Sequence, residues 1–222
     1  MSQLHPSTFK FLSDLKKNNN REWFTEHKPR YQEAQQNVAQ FFDALITEMN
    51  KVDQIETESA KKAMFRIYRD VRFSKNKAPY KTSLSGALSR ATKWLRGGYY
   101  VHIESVNVFL GIGFWSPEPK DLKIIRDEIA HDASKLRAII NDPDFKSVWG
   151  ELQGDQVKTA PKGYSKDDPN IDLLRFKAFT FMRPMTEEQA CSEDFIFEVV
   201  KSFLIARPFF DYMSEILTAH LE

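Results

Sequence analysis

From Pro6 to about Met49 the apolar residues recur at helical spacing. Phe9, Leu12 and Leu15 define one face, Asn18-Asn19-Asn20 stops that helix and caps the next, and Pro29 starts or kinks another. Tyr31, Val38, Phe41, Phe42, Leu45 and Ile46 then mark one face of a long helix from Arg30. Between Phe65 and Phe73 the period changes to two. Phe65, Ile67, Val71 and Phe73 fall on one side with Arg69 among them, and Arg66, Tyr68, Asp70 and Arg72 fall on the other, which predicts a β-strand. Ser74 to Pro79 reads as a loop, and Ser83–Leu95 fits either an irregular strand or a short helix. Tyr99–Glu104 and Val106–Trp115 alternate cleanly and are read as an antiparallel hairpin reversing at Ser105.

Leu122, Ile125, Ile129, Leu136 and Ile140 mark one or two helices, and a short one is expected around Phe145–Trp149. Alternation returns from Phe176 to Arg183, and Ser192-Glu193 caps a long final helix interrupted at Pro208. Helices, strands, helices, a late strand and a helix argue an α+β fold. The expected organisation is a single domain over 1–222 with a mainly antiparallel sheet packed by N-terminal, middle and C-terminal helices. Its helical N-terminal segment covers about 6–50, its sheet-rich middle about 64–116, and its helices and late strand about 119–220.

Charge changes this picture. The chain totals +1, yet Lys61 to Arg96 carries eleven Lys or Arg against the single Asp70, a local +10 that leaves −9 elsewhere. Arg66 and Arg72 flank Asp70 on the predicted polar face, where one carboxylate can aim two guanidinium groups at an anion. Arg69 would need a carboxylate partner if buried. The plain alternative is a solvated strand face with one internal ion pair.

The pattern R-x-x-R-D-x-R-F-x-x-x-K-x-x-Y, carried by Arg66, Arg69, Asp70, Arg72, Phe73, Lys77 and Tyr80, resembles the signature of an uncharacterised bacterial family, domain of unknown function 2461. Asn19-Asn20-Arg21-Glu22-Trp23-Phe24, Gly98-Tyr99-Tyr100 and Pro161-Lys162-Gly163-Tyr164 are similar to its other segments, while Asp168 stands where the family pattern has His. The resemblance spans nearly the whole chain and implies no established activity.

Other chemistry is sparse. His5, His27, His102, His131 and His220 lack metal-ligand spacing, and the lone Cys191 excludes an internal disulfide, so no metal site and no cofactor are expected. No apolar run spans a bilayer and no secretory leader stands at the start, which argues against a membrane partner and for a cytoplasmic protein. There is no nucleophile elbow and no P-loop. Gly111-Ile112-Gly113 reads as a bulge or a close backbone approach rather than a nucleotide fingerprint. Asp167, Asp168 and Asp172 read as helix caps or partners of Lys166 and Arg175 ahead of a cation site. Catalytic candidates are His102, which shares a strand face with Tyr100 and Glu104, and Asp70. The leading function is a site for a phosphate- or carboxylate-bearing small molecule on Arg66, Arg69, Asp70 and Arg72, with Lys77 and Tyr80 at its rim. Nucleic-acid binding along 61–96 ranks second, and a non-catalytic interaction or structural role third. Whether the protein is an enzyme and what its oligomeric state is stay open at this point.

Overall fold

A computed structural model describes residues 3–221. The N-terminal part holds helices α1 (Pro6–Lys17), α2 (Arg21–Glu26), α3 (Lys28–Met49) and α4 (Ala60–Ala63). Strands β1 (Ser83–Ser89), β2 (Gly98–Glu104) and β3 (Val108–Phe114) follow, then α5 (Pro119–His131), α6 (Ser134–Ile140), α7 (Pro143–Trp149) and α8 (Ile171–Leu174). Strand β4 (Phe179–Met185), α9 (Glu187–Ala190), α10 (Phe195–Ile205) and α11 (Arg207–Thr218) complete the order. The strands pair in sequence order as a four-stranded antiparallel sheet, so the fold is α+β.

The chain divides into two compact units. One takes the chain up to Leu88 with Tyr100–Leu110 and Pro184–Lys201; the other takes Ser89–Tyr99, Gly111–Arg183 and the chain from Ser202 on. In the first unit α1 packs on α3, burying Phe9, Leu12 and Leu15 with Val38, Phe41, Phe42 and Leu45. Asn20 caps α2, its side chain accepting from the Trp23 N–H, and Pro29 sits in the first turn of α3, where its missing N–H goes unmissed. Phe195 stacks on Phe41 with ring centres 5.4 Å apart. The undecided segment after Ser83 is strand β1. It must come so close to its helices that a Cβ at Gly86 would lie 2.6 Å from the Phe42 ring.

In the second unit α11 packs against α5 and α6, and its Phe209 and Phe210 are buried with Tyr99, Phe145, Phe181 and Phe203. The Trp149 indole donates to the Ser202 carbonyl at 3.2 Å, giving a buried polar atom its partner. Gly113 has φ 122°, and a Cβ there would meet the Phe179 carbonyl at 2.1 Å, so close backbone approach is the reason for glycine at this position.

Four boundaries differ from the sequence reading. Val106 is not a strand residue: it occupies the β2–β3 turn with φ 58° and is exposed. The late strand runs Phe179–Met185 rather than from Phe176, which makes only an isolated bridge to Gln156. The last helix is two helices meeting at Ala206, with Pro208 in the first turn of α11. The expected strand Phe65–Phe73 is absent.

Candidate functional site

Phe65–Phe73 forms one limb of an irregular arm in the first unit. Met64 bridges Gly86 and Tyr68 bridges Tyr80, each in isolation. The Phe65 N–H donates to Ser85, while Arg69 N–H donates to Pro79 and Lys81 N–H to Ile67, so the two fragments do not share one register. The physical reason is lack of cover. Of the apolar residues that alternation placed on one face, only Ile67 enters the core; Phe65 is half exposed and Phe73 is 96% exposed. A period-two pattern with nothing to pack against does not make a ladder.

Most of the signature's polar side chains build this arm. Asp70 accepts from Arg72 Nε at 3.0 Å and from a terminal guanidinium nitrogen at 2.7 Å, a forked pair. It also takes the Arg72 backbone N–H at 3.2 Å. These bonds from Arg72, with Arg66 at longer range, hold the Asp70 carboxyl below its usual range. Lys77 donates to the Val71 carbonyl at 3.0 Å, closing the tip. Arg69 is half-buried, and its expected carboxylate partner is replaced by the Ala78 carbonyl at 3.0 Å. The arm already supplies an acceptor, so no acid from elsewhere is required. Arg66, Asp70 and Arg72 are all exposed rather than gathered in a concave site; Arg66 lines a recess of about 560 Å³ with Gln32, Gln36 and Asp43.

Tyr80 anchors the arm. Asn19 grips its backbone from both sides, donating to the Tyr80 carbonyl at 3.0 Å and accepting its N–H at 3.1 Å. Its ring stacks on Phe24 at 3.9 Å, with Tyr68 beside it at 5.5 Å. Burial, then Tyr68, raises the Tyr80 hydroxyl's pKa against the pull of Arg21. The segment Asn19–Phe24 and the arginine signature, far apart in sequence, therefore meet at one tyrosine. Alternation and charge gave no sign of Asn19's role.

Two arginines of the 61–96 block belong to the second unit and are paired there. Within the second unit Arg90 has a fully buried side chain paired with Asp211 at 2.7 Å and lying over the Phe210 ring, and Arg96 pairs with Asp121. Asp172 pairs with Arg137 at 2.6 Å, not with Lys166 or Arg175, and Asp168 accepts the Asn170 N–H.

A second polar cluster lies on the half-buried face of β2, within the first unit. The Tyr100 hydroxyl is 2.8 Å from His102 Nδ1, and His102 Nε2 is 3.5 Å from Glu104 Oε2. A carboxylate cannot donate, so Nε2 carries the proton and Nδ1 accepts from Tyr100. Glu104 further accepts from Thr82 at 2.7 Å, Asn107 at 3.1 Å and Lys16 at 3.3 Å. Burial pushes the Glu104 carboxyl up, but these donors and His102 outweigh it and leave its pKa lowered. For His102 burial dominates over the attraction of Glu104 and lowers its pKa below 6.5. Lys81, at the foot of the arm, lies over Phe65 at 5.3 Å, and burial and then Arg66 depress its pKa. Among the described residues no Asp70 contact joins this cluster, so the two catalytic candidates are not brought together.

A family model described as conserved hypothetical protein (DUF2461) matches residues 7–212. The chain belongs to that family. No curated protein and no solved structure matches it. Among the described residues no helix is long and apolar enough to cross a membrane.

Proposed function

We propose that the protein binds phosphate-bearing ligands on the open surface of the arm, and that the ligand is a strand of nucleic acid rather than an enclosed metabolite. One observation carries this reading: exposed aromatic rings alternate with exposed cations along the arm. Phe65, Tyr68 and Phe73 are exposed among Arg66, Arg72 and Lys75, and the Arg72 guanidinium lies 5.9 Å from the Phe73 ring centre. A nearly fully exposed phenylalanine has an unfavourable hydration cost that base stacking relieves, and every base offers a π-face. The forked pair with Asp70 fixes Arg72 while leaving other donors outward. A small phosphorylated or carboxylated molecule, the leading sequence expectation, calls for enclosure, and these residues stand exposed instead.

Anisotropy titration of a labelled single-stranded oligonucleotide at several salt concentrations tests the reading. About four phosphate contacts give a log–log salt slope near −3, and Phe73→Ala weakens binding about tenfold without moving the unfolding midpoint. A slope shallower than about −1, or displacement by inorganic phosphate at equal concentration, returns the function to a small-anion pocket. Absence of binding leaves the interaction or structural role.

A further inference from the structure

The β2 cluster has a layout that satisfying polar groups does not require. Tyr100, His102 and Glu104 sit at alternate positions of one strand face, so their side chains are brought side by side by the pleat. The order is hydroxyl, imidazole, carboxylate, at 2.8 Å and 3.5 Å. Glu104 is itself fixed by Thr82, Asn107 and Lys16. The imidazole lies flat against Phe109, with ring centres 4.6 Å apart and planes 14° apart. Burial raises the pKa of the Tyr100 phenol, and a hydrogen bond from Ser85 on the adjacent strand only partly offsets it, so the phenol's deprotonation falls to His102. A hydroxyl, a base within hydrogen-bond reach, and an acid orienting that base are the parts of an activated nucleophile.

We propose that Tyr100 is the nucleophile and His102 the base of a catalytic triad acting on phosphoesters, with Glu104 as the positioning residue. The substrate class rests on the reading of the arm as phosphate-binding. It draws support from Lys81 and Arg66 at the arm's foot: Lys81 lies over Phe65 at 5.3 Å, and the Phe65 ring centre is 6.3 Å from that of Tyr100. Cations there suit the charge that develops on phosphoryl oxygens. As Tyr100 Oη forms a bond to phosphorus, its proton passes to His102 Nδ1. The bond from phosphorus to the leaving alcohol breaks, and the imidazolium, stabilised by Glu104, returns the proton to the departing oxygen. Water, deprotonated by the now neutral His102, then attacks phosphorus. The phenol leaves and takes the proton back. No redox partner is consumed, and water is the only co-reactant.

The experiment uses bis(4-nitrophenyl) phosphate as probe, with nitrophenolate release followed by absorbance and quenched protein analysed by peptide mass spectrometry. Wild type is expected to release nitrophenolate and carry the aryl phosphate on Tyr100. Tyr100→Phe, which keeps the ring's packing, abolishes both signals. His102→Gln lowers release by about a hundredfold, and Glu104→Gln lowers it less, while both still bind the oligonucleotide through the arm. No release by wild type, release that survives Tyr100→Phe, or an adduct on another residue overturns the triad. Turnover at Tyr100 in a protein that does not bind oligonucleotide upholds the triad and removes the strand reading; oligonucleotide binding without turnover does the reverse.

Discussion

Two arginine–aspartate pairs, each closed at 2.7 Å, divide the molecule's electrostatics. Arg72–Asp70 on the arm is 77% and 48% exposed, whereas Arg90 is 0% exposed against an Asp211 that is 52% exposed. The same bond length hides opposite demands. On the arm, water solvates both ions with or without the contact, so the pair shapes a loop and adds little to stability. In the second unit the Arg90 guanidinium has left water, and its carboxylate, the Phe210 ring and the Ser214 hydroxyl must stand in for hydration. Sequence charge density groups Arg72 and Arg90 in one basic block; burial separates them into a surface element and a core element.

The sharpest break of this comparison is Asp211→Ala. It removes the Asp211 carboxylate from a buried guanidinium and is expected to cost about 3 kcal/mol, at the lower end for a broken buried pair because Asp211 itself is half solvated. Urea unfolding measures it; a midpoint equal to wild type would mean that Arg90 is satisfied by its other contacts.

The half-buried His102–Glu104 contact lies between the two extremes and is read by pH. The folded-state pKa of His102 lies below its usual 6.5, so the unfolded chain binds the extra proton first as pH falls. Its contribution is therefore present above 6.5 and is lost as pH drops from 6.5 through the folded value. Glu104, also lowered, adds a second loss below its usual 4.5. Unfolding free energy measured from pH 7 to pH 5 should decline in wild type and decline less in His102→Gln. Equal slopes would mean that His102 keeps an ordinary pKa in the folded protein.

The smallest effect belongs to Asp70→Ala. Its stability midpoint should match wild type within error, while amide exchange at the arm's tip accelerates because the Arg72 N–H loses its acceptor. A clear drop in the midpoint would show that the exposed pair is not merely local.

The sequence alone carried most of the helices. The Phe9-Leu12-Leu15 face, the Asn20 cap and the Phe41-Leu45 stripe are local signals, and helices answer to local signals. It also carried the β2–β3 hairpin, since both segments alternate in sequence, although burial alternates only along β2 and covers both faces of β3 at Gly111 and Gly113. The resemblance to the family was readable in the sequence, and the match of its model over residues 7–212 bears it out. That Phe65–Phe73 would not form the expected strand was illegible, because alternation records two faces but not whether anything covers either one. Arg90's burial, the Ala78 acceptor for Arg69 and the Asn19 clamp on Tyr80 were decided by tertiary structure, since each partner comes from outside the local repeat. The same holds for the β2 cluster. Alternation puts Tyr100, His102 and Glu104 on one face, but Lys16, Thr82 and Ser85 reach them only after α1, the arm and β1 have packed. Periodicity fixes which way a side chain points; what it meets there depends on chain brought from elsewhere.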